Sequence, residues 1–317
     1  MQETPSDAHY YNDYALGYFD VAVNIWPVIL SNLNNLGLYN RDVIAAFLLF
    51  LNLLIIPVFL GKISEISFIK HQKYYLYLFL LCLLYPTLYF YTFDVYRDVF
   101  MVFSFLTGCL IVKKSLDSNN FLFFIIGFIF ALFVGYFLYE LRPYLGYAFL
   151  GALFLWKIKF TKKRILIFGV LYLIVLFFAN YLGLLEQLTE YRSGFDENAG
   201  GSTLGLDFSN PVLFIPNFIL SLLGQLFGLY ITNPVSLILF FIETFPFICM
   251  LIYIIKNIDL ADNFVRFIIV FFILYASVWL IGNDNLGTAV RLRMYNYFAV
   301  YICFFYILRL KTQLRVH

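Results

Sequence analysis

Residues 211–231, PVLFIPNFILSLLGQLFGLYI, are apolar enough to cross a membrane yet carry Pro216, Asn217, Ser221, Gly224, Gln225 and Gly228. Whether this run crosses decides which loops share a side, because a helix needs about 20 mostly apolar residues to span the hydrocarbon core. The other candidate spans are 43–61, 74–92, 99–112, 121–139, 144–156, 165–182, 235–255, 265–282 and 294–310. If 211–231 does not cross, one side receives all eleven lysines and Arg164, Arg266, Arg309 and Arg315, fifteen of the twenty-one basic residues. If it does cross, everything downstream inverts and the split falls to twelve against nine. Positive loops resist translocation, so the first arrangement is favoured. The expectation is an all-α polytopic membrane protein of about nine transmembrane helices, with 211–231 as an outer-face re-entrant or interfacial helix. The amino terminus is then outside and the carboxyl terminus inside.

Composition agrees with that class. The 317 residues are 63% hydrophobic and 13% charged, whereas about a quarter of residues are charged in soluble domains. A net charge of +2, with basic residues in short loops between apolar runs, gives no surface for nucleic acid. Cys82, Cys109, Cys249 and Cys303 all lie in apolar segments and form no CxxC pair, and the chain has three histidines, so neither a zinc site nor a disulfide framework is expected. The 40 Phe and 26 Tyr fit lipid-facing surfaces and interfacial aromatic belts. No internal repeat or second soluble domain is visible. The chain reads as one membrane domain, 1–317, with an outer segment 1–42 and a large outer loop 183–234 containing the amphipathic helix. About forty residues must be exported ahead of the first span, with no signal peptide or with an upstream helix missing. Residues 14–31, YALGYFDVAVNIWPVILS, have a helical rhythm suited to lying on the outer surface.

The outer face keeps its basic charge as six arginines: Arg41, Arg97, Arg142, Arg192, Arg291 and Arg293. They share it with Asp7, Asp13, Asp94, Asp98, Glu140 and Asp284. Short connections place Arg97–Asp98, Glu140–Arg142 and the 283–293 link (NDNLGTAVRLR) at the mouth of the bundle, where a guanidinium fork can bind phosphate bidentately and stay ionised. Arg97 with Asp98 or Asp94, and Glu140 with Arg142, equally suit ion pairs that fix helix ends. Arg291 and Arg293 face the same way in an extended loop and diverge in a helix. Glu243, deep in a span, is a candidate site residue or a partner for one of these arginines. Arg41 and Arg192 have no special claim. The loop 183–210 carries Gly, Ser, Asn and acids, the makings of a mobile lid. Its Gly200–Gly201 pair lacks the strand and Lys-Ser or Lys-Thr of a phosphate cradle.

Several of these positions together resemble bacterial surface-polysaccharide assembly proteins, the Wzy-type and EpsG-like polymerases and the related GT-C membrane glycosyltransferases. DAHYYNDYA (7–15) is similar to a DAxxYxxxA pattern, and Tyr85-Pro86-Thr87 with Arg97-Asp98 resembles a YPS…KD signature with arginine for lysine. Arg142-Pro143 follows an apolar span, and GTAVRLR (287–293) resembles GTAxRxR. The chain departs from the pattern in lacking a helix before the first motif and in being short for such polymerases.

The resemblance implies polymerisation of polyprenyl-diphosphate-linked repeat units on the outer face of a bacterial inner membrane. Asp7, then Asp98 and Glu140, are the candidate bases, and Arg97, Arg142, Arg291 and Arg293 the candidate phosphate ligands. No metal is required, although Asp7 with Asp13 could bind a divalent ion in a GT-C-like enzyme. The implied partners are the polyprenyl-linked saccharide, membrane lipid, a flippase and a chain-length regulator. A transferase adding single sugars, or a lipid-linked saccharide transporter, are the alternatives. A transporter would need polar residues along a path through the bundle, and the inner halves of the spans are nearly uncharged.

Overall fold

The computed structural model describes residues 6–195 and 202–316, so Gly200 and Gly201 lie outside the described residues. Every regular element among these residues is helical. Among them, six helices are long and apolar enough to cross a membrane: α3 (Arg41–Ile63), α6 (Asp98–Leu116), α7 (Phe121–Leu141), α9 (Lys162–Tyr181), α12 (Pro234–Lys256) and α13 (Asn263–Gly282). The remaining helices are α1 (Asp7–Ala15), α2 (Ile25–Asn35), α4 (Phe68–Leu83), α5 (Pro86–Phe90), α8 (Pro143–Leu155), α10 (Glu186–Ser193), α11 (Phe214–Leu226) and α14 (Leu286–Val316).

Several expected boundaries differ. The run 74–92 is not one helix: α4 stops at Leu83, and Pro86 opens the five-residue α5 after an extended Tyr85, because proline disfavours helical backbone at the residue before it. Residues 14–31 break at Gly17 (φ 84°) between α1 and α2. The span expected at 294–310 begins earlier, at Leu286, so GTAVRLR occupies the first turns of α14 rather than a loop. The ambiguous run contains the short apolar helix α11 instead of one long element.

The chain forms two compact units, residues 1–150 and 151–317. In the first, α6 is the buried centre, packed against α3 and α7. Van der Waals contact drives helix association in lipid, and small residues permit it. A Cβ on Gly108 would lie 2.7 Å from the Phe149 ring and one on Gly127 2.8 Å from Ser115 Cβ, so neither site has room for a side chain. Ser115 Oγ donates to the Phe124 carbonyl at 2.8 Å, joining α6 to α7. Charge closes both ends of this unit: Arg97 donates to the Leu141 carbonyl at 2.7 Å at one end, and Lys113 pairs with Glu65 and Asp117 at the other.

In the second unit α14 is central. Its residues from Met294 to Tyr306 are almost all buried, whereas α9 is exposed along most of its length. Asn296 receives the Trp279 indole N–H at 2.9 Å and donates to the Phe272 carbonyl at 2.9 Å, so a buried amide is satisfied from α13.

Among the described residues three helices widen into π-turns, at Leu51–Ile55 in α3, Leu222–Leu226 in α11 and Phe240–Thr244 in α12. In α3 and α12 a proline follows directly, at Pro57 and Pro246. A proline ring crowds the carbonyl four residues back, and the wider turn moves that carbonyl aside. Each π-turn carries a buried polar side chain: Asn52, Gln225, and Glu243 with Thr244.

Gly108→Leu is expected to force α6 from Phe149, costing about 1–3 kcal/mol as overpacked cores do. Denaturant unfolding in detergent would measure the loss, and a variant as stable as the parent would show the contact to be slack.

Candidate functional site

Two polar constellations stand out, one in each unit. In the first unit, α1 and α2 sit on the turn that leads into α6. Trp26 Nε1 donates to the Val95 carbonyl at 2.8 Å, anchoring α2. Arg41, opening α3, grips Asp94 with two bonds of 2.8 and 2.5 Å. Burial pushes the Asp94 carboxyl up, but the bonds from Arg41 and from the Val95 N–H outweigh it and leave the group below its ordinary value.

Tyr11 is the hub of this constellation. It is buried, and its hydroxyl is raised above the ordinary tyrosine value first by that burial. Arg97 pulls it down while Asp7 and Asp98 push it up. Asp7, Arg97 and Asp98 therefore act on one buried point. Asp98, fully buried in the first turn of α6, pairs with Arg142 at 3.7 Å, where the helix dipole also favours an acid. Asp7 is exposed in the first turn of α1. Glu140 lines a neighbouring open groove of about 400 Å³ with Val23, Asn24, Ile25, Val28 and Tyr139. The structure thus gathers four of the sequence candidates, Asp7, Arg97, Asp98 and Arg142, while Glu140 opens onto that groove. Among the described residues no three His, Cys, Asp or Glu side chains stand close enough to hold a metal ion.

In the second unit, a cavity of about 370 Å³ lies at the amino ends of α12 and α14. Gln225, Tyr230, Asn233, Ser236, Asn285 and Arg293 supply its polar wall. Because α14 is already helical at Leu286, Arg291 and Arg293 point to different faces. Arg293 is buried and lines the cavity; Arg291 is half-buried and is not part of that wall. Arg293 Nη2 donates to Glu243 Oε2 at 3.0 Å, and Glu243 is fully buried. The guanidinium also lies 5.3 Å over the Tyr297 ring, whose hydroxyl meets Thr244 Oγ1 at 2.9 Å. Gly228 makes room for it: its φ is +55°, and a Cβ there would sit 2.7 Å from Arg293 Nη1.

Arg192 is the residue that sequence reasoning missed. It is buried, donates to the carbonyls of Leu206, Leu280 and Asn283 at 3.0, 3.0 and 2.6 Å, and is ion-paired with Asp284. Phe208 stacks 4.4 Å from its guanidinium carbon. Burial lowers its pKa to about 10 against the opposing pull of Asp284, so it stays charged at neutral pH. The described parts of 183–210 are mostly exposed but anchored at the buried Arg192 and Phe208. Residues 186–193 are helical, Thr203 bridges Asn285, and Gly205 N–H donates to Asp284 Oδ2 at 2.9 Å. The clasp extends to the cavity through Asn283, which donates to Gln225 Oε1 at 2.5 Å and accepts from Gln225 Nε2 at 2.8 Å. No signal in the sequence distinguishes Arg192 from a solvated loop residue. Gln225 and Asn283 stood out only as polar residues beside apolar runs.

Comparison with family models, curated proteins and solved structures gives no match.

Arg192→Ala leaves Asp284 buried without its main counter-charge, and removal of one partner from a buried pair costs about 3–5 kcal/mol. Thermal unfolding in detergent should show that loss, with Arg192→Ala/Asp284→Ala less destabilised than the sum of the single changes. Asp94 gives an acid-dependent effect. Its folded pKa lies below the unfolded value of about 3.9, so its stabilisation is complete above that value and is lost as pH falls through the folded one. Below about pH 4 the melting temperature of Asp94→Asn should therefore fall less steeply than that of the parent.

Proposed function

We propose that this protein is a membrane glycosyltransferase that polymerises polyprenyl-diphosphate-linked oligosaccharide units on the outer face of the bacterial inner membrane. The observation that carries the reading is the cavity walled by amides, hydroxyls and one guanidinium within a unit whose helices are apolar enough for lipid. A ligand with a polar saccharide head and a long apolar tail matches that combination. A soluble sugar would have no use for the lipid-facing surface, and a simple lipid none for the polar wall. The resemblance of 7–15, 85–98, 142–143 and 287–293 to polysaccharide polymerases points the same way.

In the proposed reaction a hydroxyl oxygen of the acceptor sugar bonds to the anomeric carbon of the donor. The bond from that carbon to the diphosphate oxygen breaks, polyprenyl diphosphate departs with the electron pair, and a carboxylate takes the hydroxyl proton. Asp7 is the preferred base. It is exposed and reachable, whereas Asp98 is fully buried and paired with Arg142. Arg97 and Arg142 are the proposed donors to the diphosphate, since charge-assisted guanidinium bonds stabilise the leaving group. A flippase supplying the donor and a chain-length regulator are the expected partners. A single-sugar transferase would use the same chemistry and differ in product.

Purified protein in proteoliposomes with lipid-linked repeat units should convert them to a ladder of longer glycans. Asp7→Asn should slow elongation by about 10²–10⁴-fold, the usual effect of removing a general base. Products extended by one sugar would replace polymerisation by single transfer. Absence of any glycan transfer, with transport of the lipid-linked saccharide across the vesicle, would overturn the enzyme reading.

A further inference from the structure

We propose that the cavity at the amino ends of α12 and α14 accepts an uncharged sugar residue, and that Glu243 sets this preference by cancelling the charge of Arg293. The inference rests on the glycosyl-transfer reading and adds the charge class of one saccharide subsite. Among the described residues lining the cavity, Arg293 is the charged one. Alone it would make the cavity an anion site, because a guanidinium in a low-dielectric wall attracts phosphate or carboxylate strongly. It is not alone: fully buried Glu243 accepts from its Nη2 at 3.0 Å.

The other possible source of anion affinity, the helix amino ends, is also occupied. Asn233 Oδ1 takes the Ser236 N–H at 2.8 Å, Asn285 Oδ1 takes the Thr288 N–H at 2.8 Å, and the Leu286 N–H goes to the Ser202 carbonyl at 2.9 Å. These caps consume donors an anion would use. What the wall presents instead is neutral: the hydroxyls of Tyr230 and Thr232 and the side-chain amide of Asn233, beside Gln225, whose amide N–H groups are spent on Ser221 and Asn283. Such groups both give and accept hydrogen bonds, as sugar hydroxyls do. Gln225 is held in one orientation by its reciprocal bonds with Asn283, which gives the wall a defined pattern.

The test uses full-length protein in nanodiscs and saturation-transfer NMR with three probe sets: methyl glycosides of neutral hexoses and N-acetylhexosamines, their uronic acid counterparts, and inorganic diphosphate. The parent should bind neutral glycosides in preference to the other two sets, with the signal reduced by Asn233→Ala. Glu243→Gln keeps shape and removes the counter-charge, so affinity for uronic acids or diphosphate should rise by about tenfold. Should that variant fail to fold, the neutral double variant Glu243→Leu/Arg293→Met removes both charges together, a change buried pairs often tolerate. It should keep the neutral preference. A parent that prefers uronic acids or diphosphate, an unchanged preference in Glu243→Gln, loss of the neutral preference in the double variant, or no saccharide binding would each overturn the inference. Elongation in proteoliposomes separates the two readings. Intact elongation with failed probes removes only this subsite, and intact probe binding without glycan transfer removes only the enzyme reading.

Discussion

A guanidinium sunk among apolar helices is tolerated only beside a counter-charge, and much of the second unit is arranged around that demand. The central helix α14 carries Arg293 into the interior, where Glu243 on α12 meets it. For the carboxylate to arrive there, α12 widens into a π-turn ahead of Pro246. For the guanidinium to fit, residue 228 must lack a side chain. A few residues away the same demand is met again by Arg192 and Asp284, whose clasp holds 202–208 against the start of α14. The polar cavity opens beside the first of these pairs, at the capped helix ends.

Charge is sorted along the helices of each unit. In the first, Arg41, Arg97 and Arg142 collect at the end where α3 and α6 begin and α7 finishes, while Lys113 pairs at the opposite end of α6. In the second, Arg192 and Arg293 belong to the end where α14 begins. Lys162, which pairs with Asp259, and Lys311, bonded to Asn257, belong to the end where it finishes. Arg142, Arg192 and Arg293 stand where pairs are buried, as a guanidinium fork can satisfy several acceptors at once. The lysines named here other than Lys113 hold their partners nearer the surface.

Apolar run length made the six long helices legible, because nothing but a helix satisfies its own backbone in hydrocarbon. It failed wherever an average conceals a local cause. Pro86 divides an unbroken apolar run, and the polar first turns of α14 read as a loop because arginines and asparagines lower the mean. The candidate residues Asp7, Arg97, Asp98 and Arg142 could be picked out by motif and position at span ends, but the burial of Tyr11 within reach of Asp7, Arg97 and Asp98 could not, since an aromatic residue in a tyrosine-rich chain carries no mark of burial. Arg192 was hidden for the opposite reason. Its loop has the composition of a mobile segment, and only the carbonyls of Leu280 and Asn283, some ninety residues away, turn it into a buried clasp.

The π-turns have a consequence for sequence comparison. A π-turn is an α-helix with one residue added, and each added residue rotates the remainder of the helix by about 100°. The lipid-facing stripe of α3 or α12 on one side of the turn is therefore out of phase with the stripe on the other. A related chain that had lost the turn by deleting a single residue would keep its hydropathy profile and its span length. It would nevertheless swing Glu243 or Asn52 off the interior face. Gaps of one position inside these helices thus separate relatives that retain the buried polar groups from relatives that merely retain the span.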